Sequence, residues 1–360
     1  LAALNASDAL PYLTRDLPGI GGSIKEHLAD FRVEELPLYE PAGEGTHVYF
    51  RLTKAGITTH EAADRIARHM GVEPHDVGLA GLKDARAVTT QMMSLEHADP
   101  GRLAACRDAQ MSVEIVGRHG NKLRPGHLRA NRFVVRIRGV GAAQLGAAGT
   151  VLEVLGRRGV PNYFGPQRFG ARGDTAALGE ALVRNDGDGF AAILLGRSRE
   201  DDPPDCKAAR DAFDTGFLDR GLKCWPRHYV NERKALAAFK RKRRGADAVR
   251  AVAKRMKRLY VSAFQSAIFN EILAERIDAV DRVLAGDLAR KSDTGGVFLV
   301  EDAEAEQPRA DRFEISLTGA VVGYRSHLAG GEPGRIEAEV LRRHGVTCEH
   351  FRHAGAMKAF

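Results

Sequence analysis

Stretches in which apolar and polar positions alternate with period two are interleaved with stretches of helical spacing. That interleaving predicts an α/β (α+β) fold. Phe31 to Glu35 alternates and predicts a strand, and Val48 to Leu52 predicts another. Thr58 and Glu61 stand at capping-box spacing. The helix they open would present Ala62, Ala63, Ile66, Ala67 and Met70 on one face and stop at Gly71. Val77 to Gly81 predicts a short apolar strand that runs straight into Leu82-Lys83-Asp84-Ala85-Arg86. Asn131 to Arg138 predicts the clearest strand, with Phe133, Val135 and Ile137 facing one way and Val134, Arg136 and Arg138 the other.

The second half reads as mainly helical. Helices are expected over 144–158 and 175–186, and the polar stretch 197–225, with Pro203-Pro204, reads as an irregular excursion. Residues 233–258 are helical by composition. Ser262 and Gln265 offer a second capping box, opening a helix with Phe264, Ile268, Ile272 and Leu273 inward. Residues 291–312 read as loop-rich, Phe313 to Leu317 as a strand and 335–344 as a helix. No internal repeat or low-complexity tract is found.

Composition narrows the class. The 360 residues suggest two domains at about 100–200 residues each. An apolar share of 44% with 28% charged residues is that of an ordinary globular chain. No run of about 18 apolar residues predicts a membrane span, and Leu1 to Leu10 shows no basic-then-apolar leader pattern. The chain starts at Leu1 rather than Met, as a processed or trimmed form would. Cys106, Cys206, Cys224 and Cys348 lie far apart without a C-x-x-C pair, so a reducing, cytoplasmic location is expected rather than a disulfide framework.

The net charge of +7 is unevenly spread. Arg227 to Arg258 carries 13 Lys and Arg against Glu232 and Asp247, while the remainder holds 41 basic and 45 acidic residues. A mildly acidic body with one strongly basic segment points to a polyanionic partner. A solvated, arginine-rich helix face is the plainer alternative.

Asp84 is the most suggestive single residue. A carboxylate leaving a strand beside Lys83 and Arg86 is suited to act as nucleophile or base, although an aspartate in a solvated turn is commoner. Pro161 to Gly170 (Pro-Asn-Tyr-Phe-Gly-Pro-Gln-Arg-Phe-Gly) combines aromatics that stack on bases with amides that read base edges. By itself it weighs evenly against a turn-rich packing element. Cys348, His350 and His353 have ligand-like spacing but no fourth partner nearby, so no metal is expected. No G-x-S-x-G elbow, Walker loop or G-x-G-x-x-G pattern is present.

Several of these pieces, taken in order, resemble the TruD family of tRNA pseudouridine synthases. Lys25 followed by Asp30-Phe31-Arg32-Val33-Glu34 is similar to its K-x5-F-x-V-x-E opening. Gly43 to His47, with Lys54 and Thr58 or Thr59, resembles the next block. Gly81 to Gln91 is similar to G-x-K-D-x-x-A-V-T-x-Q, and Asn131-Arg132-Phe133 to a further short motif. Asn162 to Gly170 resembles N-Y-F-G-x-Q-R-F-G. Ser262 to Asn270 resembles S-A-x-x-S-x-L-F-N, with Ile268 for Leu. Together the blocks span about residues 19 to 276.

The resemblance implies isomerisation of a flipped uridine, at position 13 of tRNA, to pseudouridine without cofactor or metal. Asp84 would act on the ribose, by attacking C1′ or removing the C2′ proton, with Lys25 as its charge partner. Phe164 would lie against the uracil, Phe31 would form another wall, Asn162 would hydrogen-bond the base or sugar, and Gln167 and Arg168 would also bind the substrate. The implied architecture is a mixed-sheet catalytic domain in two parts, 1–155 and 311–360, interrupted by a family insertion at 156–310, V-shaped with a basic cleft. Lys240, Arg241, Lys242, Arg243 and Arg244 fall in that insertion and would grip the tRNA backbone. No membrane and no obligatory protein partner is implied.

The family also carries a further core strand and an L-P-x-G-x-x-A-T segment that supplies an aromatic to the pocket. This sequence stops at Ala354 to Phe360, about where the arginines preceding that tail are expected. It therefore reads either as truncated or as lacking one pocket wall. In the second case the chain is a catalytically impaired RNA-binding or remodelling homologue. A nuclease would need several carboxylates around Asp84, and the sequence there offers one.

Overall fold

A computed structural model describes residues 10–354. The expectations drawn from Leu1 to Leu10 and from the ending after Ala354 therefore fall largely outside the described residues, as does the side chain of His353. The chain divides into two compact units, one of residues 18–149 and the other of 1–17 with 150–360.

The first unit is built on a mixed six-stranded sheet. Its elements are β1 (Phe31–Pro37), β2 (His47–Ala55), α1 (Thr59–Met70), β3 (Gly78–Leu79), β4 (Val88–Glu96), α2 (Pro100–Ala104), β5 (Met111–His119), β6 (Leu128–Val135) and the start of α3 (Ala142–Arg158). The order is β5-β2-β4-β1-β6, with the short β3 also paired to β4. β1 and β4 run parallel, and the other pairs are antiparallel.

Local chemistry explains α1. The Thr58 hydroxyl accepts from the Glu61 N–H at 3.0 Å, and Gly71 closes the helix in the left-handed region. Its inner face buries Ala62, Ala63, Ile66 and Ala67 against Val48, Phe50 and Leu52 of β2 and Met93 and Leu95 of β4. Tyr49, Met92, Ala80 and Leu123 form a smaller core on the opposite face.

The strand expected over Asn131 to Arg138 begins and ends earlier, as β6, and neither face of it is buried. Phe133 is 56% exposed and Val134 54%. β6 is an edge strand, and among the described residues its outer side has no neighbouring strand.

The second unit contains α4 (Thr175–Val183), α5 (Gly187–Leu195), α6 (Pro204–Asp214), α7 (Leu218–Cys224), α8 (Val230–Lys242), α9 (Gly245–Ala251) and α10 (Lys254–Glu275). It ends with β7 (Leu288–Lys291), β8 (Val297–Leu299), α11 (Ala303–Asp311), β9 (Ile315–Leu317), α12 (Gly331–Arg343) and α13 (His350–His353). The three strands form a small antiparallel sheet in the order β8-β7-β9.

Several expectations are corrected in this unit. Residues 197–225 are not irregular: Pro204 sits at the first turn of α6, where its missing N–H costs nothing, and Cys206, Ala209 and Ala212 are buried. Residues 291–312 contain β8 and α11 rather than loop alone. The basic stretch is three helices, broken where Arg243 takes φ 52°. Ser262 and Gln265 lie inside α10 and cap nothing; Gln265 is buried and donates to the Val322 carbonyl.

Residues 311–354, most of the stretch that the family resemblance assigns back to the sheet-containing catalytic part, are compact with 150–310 here. α4 crosses α10 so closely that Gly179 is needed, since a Cβ there would lie 2.1 Å from the Tyr260 carbonyl oxygen. Phe190, Trp225, Leu236 and Tyr260 fill one core of this unit. Val261, Phe264, Ile268, Val340 and Phe351 fill another.

Candidate active site

In the first unit the structure brings Lys25, Phe31 and Asp84 together. Lys25 Nζ stands 3.5 Å from Asp84 Oδ1 and 3.9 Å from the centroid of the Phe31 ring. The lysine therefore interacts with a carboxylate and an aromatic face at once. Its backbone lies in the left-handed region, at φ 60°. A non-glycine residue held there marks a segment fixed by its surroundings.

The fixing is visible. Fully buried Asp30 takes a bidentate pair from Arg138, with both distances 2.7 Å, and accepts from the His27 N–H at 2.9 Å. These bonds hold its carboxyl well below the usual range, the Arg138 hydrogen bond contributing most. Ser23 and Arg138 also exchange backbone hydrogen bonds at 3.0 and 2.9 Å. The segment on which Lys25 rides is thus pinned at both ends, at Ser23 and at Asp30.

Asp84 lies between β3 and β4 with its side chain half exposed. Its loop is tied down by polar residues embedded in the sheet. Lys83 pairs with Glu35 at 2.6 Å, both side chains almost fully buried, and the other Glu35 oxygen accepts from the Met92 N–H. The Thr59 hydroxyl accepts from the Lys83 N–H at 2.9 Å and donates to Gln91 Oε1 at 3.1 Å. The Gln91 amide donates to the Gly81 carbonyl at 3.0 Å. Lys54 Nζ donates to the carbonyls of Ile57 and Asp84, each at 2.8 Å.

Asn162, Phe164, Gln167 and Arg168 belong to the second unit and are held there by α10. Asn270 is the principal clamp: its Oδ1 accepts from the Phe164 N–H at 2.8 Å and its Nδ2 donates to the Phe164 carbonyl at 2.9 Å. Arg168 Nε donates to the Ser266 hydroxyl at 3.0 Å, and its Nη2 donates to Ser262. Ser262, Ser266 and Asn270 are four apart, so they line one face of α10. The Phe164 ring meets Phe269 edge-on at 5.4 Å, and the Arg168 guanidinium lies 5.5 Å from its centroid.

Asn162 and Gln167 are exposed. Asn162 lines a 560 Å³ cavity with Phe269, Arg290, Ser316, Thr318 and Gly319 among its walls. Val160, Ile272, Leu273, Val280 and Leu317 supply most of the rest of its mostly aliphatic wall.

The roles of Asn270, Lys54, Thr59, Gln91 and Glu35 are not singled out by motif reading. Two signals mark them: the four-residue spacing along α10, and polar side chains placed on strands, or for Thr59 at the start of α1, among buried apolar ones. Among the expected backbone contacts, Lys240 pairs with Asp219, and Arg244 pairs with Asp247 at 3.0 Å. Arg241, Lys242 and Arg243 are exposed, with no ion pair among the described residues. His350 Nδ1 is engaged by the Thr347 N–H and hydroxyl. Among the described residues no group of three or more His, Cys, Asp and Glu side chains is gathered. No helix among them is long and apolar enough to cross a membrane.

The chain is similar along nearly its whole length to curated sequences. The curated tRNA pseudouridine synthase D of Geotalea daltonii is 42% identical over 349 residues, which is 97% of this chain and 88% of that protein. The protein of the same name from Geobacter sulfurreducens is 42% identical over 348 residues, covering 96% and 85%. A crystal structure from Methanosarcina mazei, described as tRNA pseudouridine synthase D, superposes with a TM-score of 0.86 at 28% identity, covering 97% of this chain and 85% of that one. The family model described as tRNA pseudouridine synthase D (TruD) matches residues 9–360, and the chain belongs to that family.

Proposed function

We propose that this chain converts uridine to pseudouridine in tRNA, at position 13 by family resemblance. The observation that carries the reading is Lys25 Nζ at 3.5 Å from Asp84 Oδ1, above the Phe31 ring. In the reaction the N1–C1′ bond breaks and N1 becomes protonated. The uracil turns over, C5 joins C1′, and the C5 proton is released. The target base must leave its stack. Asp84 acts on the ribose, as nucleophile at C1′ or as base at C2′, and Lys25 balances its negative charge. Phe164 and Asn162 receive the base, Phe31 forms another wall, and Gln167 and Arg168 bind the substrate beside them.

The division into a catalytic part (1–155 and 311–360) and an insertion (156–310) follows from the family resemblance and belongs to this proposal. So does a cytoplasmic setting, where tRNA is found. Exposed Arg241, Lys242 and Arg243, with Lys240 and Arg244 beside them, contact the phosphate backbone. The reading of the chain as an impaired RNA-binding homologue has no support from the relatives, and the Asp84 and Lys25 motif positions are intact.

Tritium release from C5-labelled uridine in tRNA tests the assignment. Asp84→Asn should abolish release and leave tRNA binding within about two-fold; turnover in that variant would refute the role of Asp84. Neutralising residues 240–244 should weaken binding and flatten its salt dependence, by roughly 0.7–0.9 in slope for each phosphate no longer neutralised. An unchanged slope would leave this run as a solvated face.

A further inference from the structure

Lys54 is a strand residue that the reaction scheme above does not use. It lies on β2 with 1% of its surface exposed. Among the described residues no carboxylate lies within ion-pairing distance of it, and its ammonium is spent on two main-chain oxygens, those of Ile57 and Asp84. A buried cation without a counter-ion is costly, and an apolar side chain would serve the sheet better. Its position supplies a reason for the cost. The other fasteners hold Gly81 and Lys83, whereas the bond from Lys54 is the one that holds the Asp84 main chain among the described residues.

We propose that Lys54 is a positioning residue for the Asp84 carboxylate. Its ammonium ties the Asp84 carbonyl to that of Ile57, at the entrance to α1, so the loop cannot carry the carboxylate away from Lys25. The inference rests on the reading of Asp84 as the reacting group. The charged groups around Lys54 are Asp84 on the loop, Lys83 with its partner Glu35 from β1, and Lys25 from the segment before β1. Burial draws the Lys54 ammonium down to about 8, with Lys83 adding to that effect and Asp84 opposing it. Lys54 is therefore charged at neutral pH and loses its proton within an accessible range.

The test is single-turnover pseudouridine formation by the full chain, with tRNA affinity measured separately. Lys54→Met should slow the reaction about 10–100-fold, the cost of a reacting group displaced by about 1 Å, with tRNA affinity within two-fold. Lys54→Gln, which keeps a donor without the charge, should recover part of the rate.

Rates equal to those of the unaltered chain would overturn the proposal. So would an equal loss in Lys54→Met and Lys54→Gln, the signature of damage to the sheet alone. Should both variants fail to fold, Lys54→Arg, which keeps the cation, decides: its longer side chain must displace the Asp84 loop, so a folded variant with an unaltered rate overturns the proposal. Turnover in Asp84→Asn removes instead the reading on which the proposal rests, so the two failures are distinct.

Discussion

Asn270 offers the sharpest test of how the Phe164 loop is held. It is 4% exposed and closes a two-bond ring with the main chain of Phe164, at 2.8 and 2.9 Å. Asn270→Ala removes both bonds and leaves a half-buried N–H and C=O without partners. At about 1 kcal/mol net per bond, with the desolvated groups adding a comparable amount, the loss is about 2–4 kcal/mol. A unit of this size loses roughly 2–4 °C of Tm per kcal/mol, so a fall of about 4–16 °C is expected by circular dichroism. Pseudouridine formation should fall as well, because Phe164 is no longer fixed against Phe269.

Asn270→Asp isolates the two bonds. A carboxylate still accepts from the Phe164 N–H but opposes the Phe164 carbonyl, so the variant should be destabilised at pH 7. It should recover as the carboxyl becomes protonated and can donate again. An Asn270→Ala variant within about 0.5 kcal/mol of the parent would refute the clamp, as would an Asn270→Asp variant with no recovery on acidification.

Two further outcomes test the second unit. His344 is buried, and burial pulls its pKa down, but hydrogen bonds to Glu180 and Glu271 outweigh that and raise it from 6.5 to about 9. Its contribution, about 3 kcal/mol at most, is complete below pH 6.5 and lost as pH rises through 9. The stability gap between the parent and His344→Gln in urea should therefore shrink from pH 6 to pH 10, and a constant gap would refute the ion-pair account. Gly179→Ala should destabilise by about 1–3 kcal/mol through the clash with the Tyr260 carbonyl, whereas Gly156→Ala, with nothing within 4 Å, should stabilise by about 0.5–1 kcal/mol. Equal effects of the two in thermal melts would show that the α4–α10 contact can relax.

The sequence by itself determined what depends on neighbours along the chain. The α1 helix follows from Thr58, Glu61 and Gly71, and the capping bonds form as the spacing requires. The blocks around Lys25, Asp84, Asn162 and Ser262, taken in order, were enough to point to a family. The sequence also misled where a local signal had a tertiary use. Ser262 and Gln265 look like a cap, yet they lie inside α10: Ser262 holds Arg168 and Gln265 holds Val322, partners 94 and 57 residues away. Pro203-Pro204 looks like a break but starts a helix, because a proline in the first turn gives up an N–H that had no partner to lose.

Only the tertiary structure decided how Asp84 and Lys25 are held. The Asp84 loop is fastened by Glu35, Lys54, Thr59 and Gln91, which come from β1, β2, α1 and β4 and have no periodicity in common. Lys25 reaches Asp84 because Asp30 is locked to Arg138, 108 residues away. A periodic pattern records which face of an element is buried. It does not record which buried polar group will find its partner, because that choice is made by strands brought together only when the sheet closes and the cost of leaving the group unpaired must be met.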